Sequence, residues 1–398
     1  MYPIVRVIFQ RLLLHNGKGV TKLRHAIIGV GGIGRLHARV AKEIEEIELV
    51  AVADIVEKVA REIGEEYGAR WYTDYREMLE KEDIDTISIC TPHHLHDEMT
   101  IECVKYGVHV LVEKPIATTI KRADRMITAA KKAGVKLGVI FQWRVNSSMV
   151  AAKRAIDEGS IGEIMFAHLN FYCYRSQKYY LRGYWRGKWA YEGGGVLINQ
   201  AIHAIDIFQW LVNTRPKRLS AYVGTIAHDI EVEDIAVAAL EFESGAKGSI
   251  FATSTSPLGW TDIVLQGDRG AITIGRHYYI DEEGRPHPCD CILHKFNIPV
   301  KQAIFESLKY ERDLAPKVLP RPLSVKGEWR DHAVILKDFA RAVIEDRDPM
   351  VPGEEGRKSL EIVNAIIYSG CKGVEVQFPL NPDDYEKLIE ELCRRGRV

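Results

Sequence analysis

Lys114 is a residue whose position asks for a chemical explanation. The apolar run 108–112 reads as a short buried strand, and Glu113, Lys114 and Pro115 follow it directly. In an open parallel sheet, the carboxyl ends of the strands face the ligand crevice. An ammonium buried there without a partner is costly, so a lysine at that point needs a task. Pro115 stops the strand and fixes the local backbone. A cation so placed can bind an anion or stabilise a developing alkoxide.

A second group lies downstream. Asn199, His203 and Asp206 stand at i, i+4 and i+7, one face of a continuous α-helix. An imidazole titrates near neutrality, as a general base for an alcohol must. Asn199 can orient a hydroxyl or the imidazole. Taken alone, the pattern also fits a core histidine in an amphipathic helix.

The third group is Gly29-Val30-Gly31-Gly32-Ile33-Gly34, a G-x-G-x-x-G run between a strand pattern and a helix pattern. Gly29 permits the turn, Gly31 lets a pyrophosphate approach and Gly34 lets the helix pack on the strand. The helix N-terminus then favours the anion. Asp54 ends the next strand, 20 residues after Gly34. A carboxylate there accepts from a ribose 2′-hydroxyl and repels a 2′-phosphate, which argues for NAD over NADP. Thr91 and Pro92 form a turn after the fourth strand, and His93, His94 and His96 follow beside Asp97. They lack the i, i+4 spacing of a helical zinc pair and read as lining the dinucleotide crevice.

Two further stretches carry reactive types. Tyr174, Arg175, Tyr179, Tyr180, Arg182, Tyr184, Trp185, Arg186 and Trp189 crowd one segment. Aromatic faces suit sugar C–H surfaces and arginines suit phosphate or carboxylate, although an interface has the same composition. His287, Cys289, Cys291 and His294 place four possible zinc ligands within eight residues. The C-x-C spacing is too short for a zinc knuckle, so a surface loop is the competing reading and no metal is assigned.

These groups need elements to position them. Strand patterns at 24–30, 48–53, 70–72, 84–90, 108–112 and 135–141 alternate with helix patterns at 33–44, 56–67, 94–106 and 120–133. That rhythm indicates a doubly wound parallel sheet, an α/β domain over 23–141. From 142 the strands come with few helices between them. This predicts an α+β domain over 142–398 with a large, mostly antiparallel open sheet carrying a helix over 199–211. Residues 284–323 have no clear period and several prolines, and read as a loop. Residues 1–22 precede the first strand, either as a terminal arm or as the product of too early a start codon.

The chain has 398 residues, a formal net charge of -1, 46% hydrophobic and 27% charged residues. Its length favours two domains. The charge balance supports neither nucleic acid nor anionic membrane as partner. Seven scattered cysteines without a secretion signal read as reduced thiols of a cytoplasmic protein. Sparse Asn and Gln with abundant Glu, Lys and Arg lean towards a thermophilic source.

Taken together, the ordered motifs resemble the glucose-fructose oxidoreductase/inositol dehydrogenase family (Gfo/Idh/MocA) over about residues 23–380. The resemblance rests on Gly29 to Gly34, Thr91-Pro92, Glu113-Lys114-Pro115, Gly193 to Gly195 with His203 and Asp206, and the later Asp338-Phe339. It implies hydride transfer between nicotinamide and a secondary hydroxyl of a sugar or cyclitol. By the resemblance, Lys114 holds the substrate hydroxyl and His203 shuttles its proton, with Asn199 beside it. Trp185-Arg186 matches a pair that approaches the cofactor. Glu113 and Gln142 join the cofactor contacts, and Arg144, Tyr174, Gln200 and Asp206 join the substrate contacts. A homodimer or homotetramer through the open sheet face is implied as well. One departure stands out: many members carry Asp where this chain has Asn199, and Asp206 or Lys114 is expected to compensate. The run from Trp185 to His203 resembles a branch that includes nucleotide-sugar 3-dehydrogenases. An NADP-bound sugar–sugar oxidoreductase and a non-catalytic dinucleotide sensor are the alternative readings.

Overall fold

Six strands carry the dinucleotide-type motifs: β1 (Leu23–Ile28), β2 (Ile47–Ala53), β3 (Arg70–Tyr72), β4 (Thr86–Ile89), β5 (His109–Val112) and β6 (Leu137–Val139). In the computed structural model they pair in the order β3-β2-β1-β4-β5-β6, every neighbouring pair parallel. The structure describes residues 22–280, 286–310, 314–323 and 332–397. The expected extension therefore lies, but for Lys22, outside the described residues. β1 and β4 are central, and Ala26, Ile27, Ile87 and Ile89 are fully buried. Both strands are covered on both faces, and their buried polar residues His25, Thr86 and Ser88 are hydrogen-bonded to one another. Helices Gly32–Glu43, Glu57–Tyr67, Tyr75–Lys81, His96–Lys105 and Ile120–Ala133 make the connections. The strand order reverses between β1 and β4, the switch point at which such sheets hold ligands.

The glycine run makes this switch point possible. Gly29 has φ +82, and a Cβ on Gly34 would lie 1.9 Å from the Gly29 carbonyl oxygen. The helix can therefore approach the strand end only without a side chain at Gly34.

Contacts divide the chain into two compact units. The first comprises residues through Ala117 with Lys121–Phe141 and His332–Arg357. The second comprises Thr118–Ile120, Gln142–Asp331 and Lys358–Val398. Segment His332–Arg357, expected in the second domain, thus packs with the first. Phe339 accounts for this, since its ring sits 2.9 Å from where a Cβ on Gly138 of β6 would be.

The second unit is built on nine strands: β7 (Ile164–Tyr172), β8 (Pro216–Gly224), β9 (Ile235–Phe242), β10 (Lys247–Thr253), β11 (Thr261–Gly267), β12 (Gly270–Ile280), β13 (Pro286–Phe296), β14 (Val318–Pro322) and β15 (Val376–Gln377). They run β14-β13-β12-β11-β7-β10-β9-β8-β15, antiparallel except for the parallel pair β7–β10. Along β8, Leu219 and Ala221 are buried while Ser220 and Tyr222 are exposed, the alternation of a sheet with one covered face. Helix Ile202–Val212 lies in the core of this unit, with Ile202 to Phe208 all buried.

The loop expected over 284–323 is instead largely structured, with β13, helix Val300–Tyr310 and β14. Its prolines are compatible with a strand. Pro320 and Pro322 sit on the edge strand β14, where a missing N–H costs no ladder bond to a further neighbour. Among the described residues no single helix is long and apolar enough to cross a membrane.

The Gly34 contact gives a direct test. Gly34→Ala should lower stability by about 1–3 kcal/mol in urea unfolding, the usual cost of overpacking a tight site.

Candidate active site

The first unit offers a dinucleotide cradle. Helix Gly32–Glu43 starts at Gly31 with no side-chain cap and no acidic residue in its first turn. A Cβ at Gly31 or Gly32 would meet nothing within 4 Å, and Ile33 is partly exposed beside them. Open amides at a helix N-terminus attract an anion. Asp54, half-buried after β2, accepts from Val30 N at 3.0 Å and Val56 N at 2.9 Å. Each carboxylate oxygen has a second lone pair, so Asp54 orders the loop and can still accept from a hydroxyl. The residues present therefore fit a bound dinucleotide.

Thr91 and Pro92 follow β4 at the switch point, but the histidines beside them do other work. His96, expected among the cofactor contacts, is fully buried, with Nδ1 2.8 Å from Pro115 O and Nε2 2.9 Å from Thr91 O. Burial lowers its pKa despite the two carbonyls, which favour the charged ring. It ties the Thr91 turn to the segment after Lys114 and offers neither nitrogen to a ligand. His93 is buried, and Asp97 is bridged by Arg122 and Arg125, each at 3.4 Å. That pairing neutralises the Asp97 carboxylate.

Glu113 is also turned inward. Its Oε1 lies 3.0 Å from His37 Nε2 and 3.6 Å from His332 Nε2, and its Oε2 accepts from Lys114 N at 3.2 Å. Burial would raise the Glu113 pKa, but contacts with His332 and His37 hold it well below the usual carboxylate range. Together the trio brings three possible metal-ligand atoms within 4.8 Å. Hydrogen bonding already accounts for His37. An ionised carboxylate only accepts, so His37 donates to it through Nε2, and its Nδ1 lies 3.1 Å from Ser88 Oγ. Ser88 Oγ is also 3.1 Å from His25 Nε2, and His25 Nδ1 is 2.9 Å from Thr86 Oγ1. Burial holds His25 neutral by lowering its pKa to about 3, so one of its ring nitrogens donates and the other accepts. Glu113 is thus a strut under Lys114 rather than a cofactor contact, and Lys114, half-buried two residues beyond β5, follows it.

In the second unit the face shared by Asn199, His203 and Asp206 does not form. Residues Val196–Gln200 make a wide π turn, closed by Ala201 N to Val196 O at 2.8 Å, and the α-helix begins only at Ile202. The extra residue per turn breaks the α-helical phase and takes Asn199 off the face that His203 and Asp206, three residues apart on the helix, still share. His203, 9% exposed, stacks on Trp143 with ring centroids 5.5 Å apart and planes 17° from parallel. Asp206 is fully buried and bound by Arg144 through Nε and Nη2, both at 2.7 Å, and by Ser359 Oγ at 2.7 Å. Arg144 and Asp206 therefore neutralise each other in the core. Neither is presented as the substrate contact that was expected, and Asp206 does not compensate for Asn199.

Asn199 has other partners. Its Nδ2 donates to the buried carboxyl of Glu192 and, at 3.1 Å, to Tyr179 OH. Gln200 Nε2 donates to the same phenol at 3.2 Å. The Arg175 and Arg186 guanidinium groups lie 5.2 and 4.8 Å from the centre of the Tyr179 ring, and Arg186 also covers Trp185 at 4.6 Å. Tyr174, by contrast, is 58% exposed and bridges Thr255 through its backbone. Gln142 Oε1 and Gln200 Oε1 are buried with no hydrogen-bond partner among the described residues. Sequence reading did not single out Trp143, Tyr179 or Glu192 as functional. Only the aromatic density around Tyr179 hinted at one of them.

The Cys/His segment lies on β13. Cys291 is fully buried, whereas His294, three residues on and so on the opposite strand face, pairs with Thr273 Oγ1 at 3.0 Å. The side chains of His287 and Cys289 lie outside those described.

Comparison with known proteins bears on both units. Residues 23–141 match the model of the GFO_IDH_MocA oxidoreductase family, NAD-binding Rossmann fold, and residues 149–273 match the GFO/IDH/MocA C-terminal domain. The chain is 30% identical to myo-inositol 2-dehydrogenase of Thermotoga maritima over 63% of this chain and 74% of that protein. It is 32% identical to scyllo-inositol 2-dehydrogenase (NAD(+)) of Bacillus subtilis over 65% and 76%. Among solved structures it is similar to the WlbA dehydrogenase from Bordetella pertussis in complex with NADH and UDP-GlcNAcA. That match has a TM-score of 0.75 at 29% identity and covers 91% of this chain and all of the other.

Removing one partner of the Arg144–Asp206 pair leaves a buried charge. Asp206→Ala should therefore cost about 3–5 kcal/mol in denaturant unfolding. Exposed pairs such as Arg35–Glu62 should contribute under about 1 kcal/mol in the same assay.

Proposed function

Because the chain belongs to the Gfo/Idh/MocA family of NAD-binding oxidoreductases, we propose that it is an NAD-dependent dehydrogenase for a secondary hydroxyl of a sugar, cyclitol or sugar nucleotide. The observation that carries this reading is the uncapped, glycine-lined helix N-terminus with Asp54 at the end of β2. Asp54 supports NAD over NADP, since a 2′-phosphate would meet an existing carboxylate. NAD, when bound, accepts or returns the hydride. His203, its ring held by Trp143, takes the hydroxyl proton, and Lys114 stabilises the developing alkoxide. The buried acceptors of Gln142 and Gln200 suit a ligand rich in hydroxyl donors. The inositols in the relatives' names and the UDP-GlcNAcA bound in the similar structure set the range to be tried.

A cytoplasmic homo-oligomer formed through the open face of the nine-stranded sheet belongs to the same proposal. Its support is the cross-strand pair Tyr222 and Val237, apolar and 82% and 46% exposed on β8 and β9.

NADH formation across inositols, sugars, uronic acids and UDP-sugars tests the reaction. Lys114→Ala should reduce kcat/KM at least about 100-fold, and near-normal turnover would overturn its role. NADH should bind at least about tenfold tighter than NADPH, a difference of about 1.4 kcal/mol. Light scattering should report a multiple of the 45.1 kDa chain mass, and Tyr222→Lys should shift it towards the monomer.

A further inference from the structure

Asn199 occupies the place where the family resemblance leads one to expect a carboxylate, and the structure places a different carboxylate against it. Glu192 ends the helical turn Trp189–Glu192 and is fully buried. Its Oε2 accepts from Gly187 N and its Oε1 from Asn199 Nδ2. An ionised carboxylate can only accept, so Asn199 must turn its amide nitrogen to Glu192 and its oxygen away. The second Asn199 N–H then donates to Tyr179 OH, which also accepts from Gln200. With both amides donating to the phenol oxygen, the phenol proton is directed elsewhere. One buried carboxyl thereby sets the donor and acceptor sense of three polar side chains. An aspartate at 199 would instead meet Glu192 at contact distance, and two such carboxylates cannot both ionise in a buried site.

We propose that Glu192 is a positioning residue of the reaction, acting through Asn199, and that its ionised form holds the Asn199–Tyr179–Gln200 array in its working arrangement. The proposal rests on the dehydrogenase reading above. Burial, first, and the nearby Glu233 raise the Glu192 pKa, while the Gly187 and Asn199 contacts and Arg186 lower it, leaving it at about 7. Tyr180 also faces it, and Tyr179 stands beyond Asn199 with Arg175 over its ring. Protonation below about pH 7 turns one Glu192 oxygen into a donor facing an N–H, so the array loosens and turnover falls.

The test uses the full-length enzyme with NADH bound and selective labels on the Glu carboxyl carbons and Asn side-chain amides. A carboxyl resonance should titrate near pH 7 and vanish in Glu192→Gln, and the Asn199 side-chain amide should shift with the same midpoint. An Asn199 amide that does not respond to that titration overturns the proposal. This readout needs no turnover, so it decides even if the dehydrogenase reading fails. That reading fails if the wild type reduces NAD with none of myo-inositol, scyllo-inositol or UDP-GlcNAcA. With whichever of these probes is turned over, Glu192→Gln should lower kcat about tenfold or more, change KM little, and abolish the acidic limb of the kcat profile. The swap Glu192→Gln with Asn199→Asp, which restores one carboxyl and one amide, should regain much of kcat. Wild-type kcat with an unchanged acidic limb in Glu192→Gln would overturn the proposal.

Discussion

The second unit depends on a single buried carboxyl, that of Glu233. It accepts from Gly195 N at 2.9 Å and from Leu197 N at 3.1 Å, the amides that open the π turn. The approach is so close that a Cβ on Gly195 would lie 1.9 Å from the Glu233 carbonyl oxygen. Burial, opposed by these backbone contacts, leaves the Glu233 pKa raised to about 7. The contact holds a wide turn where the sequence would continue an α-helix, and every side chain from Val196 onward takes its direction from that phase. Asn199 reaches Glu192 and Tyr179, His203 lies on Trp143, and Asp206 meets Arg144.

The same constraint, that a buried charge must be satisfied, recurs through the molecule with different outcomes. Asp206 is neutralised by a bidentate guanidinium and a hydroxyl. Glu113 is held ionised by two imidazoles and the following amide. Glu192, facing amides and the Glu233 charge, and Glu233, facing amides and the Asp234 charge, are left poised near neutrality. A carboxyl with a cationic partner serves the fold. One whose hydrogen-bond partners are amides remains able to change state, which sets Glu192 and Glu233 apart from Asp206 and Glu113.

Much of the first unit was legible in residue order, because its strands are buried on both faces and its helices carry clear apolar periods. β3 appears where its three residues suggested, and Asp74 caps the helix Tyr75–Lys81 that follows, accepting from Arg76 N. The stretch 284–323 was not legible. Its prolines mark an edge strand there, and edge and loop look alike when the neighbouring strand is unknown. The apolar period of His332–Ile344 suits a helix, but nothing local says which core a helix will join.

Residue types and spacing alone determined that this chain has a glycine-lined dinucleotide loop, an acidic residue suited to a ribose hydroxyl, a lysine after the fifth strand and a histidine on a core helix. These follow from local chemistry and periodicity. Tertiary structure decided which polar residues are spent on one another. His96, Glu113, Arg144 and Asp206 all looked available in sequence and are all committed inside the fold. Glu192 looked like an ordinary helical glutamate and proved to be the buried partner of Asn199. Spacing can tell which residues share a segment, but only packing sets which charges lose their water and therefore must find partners.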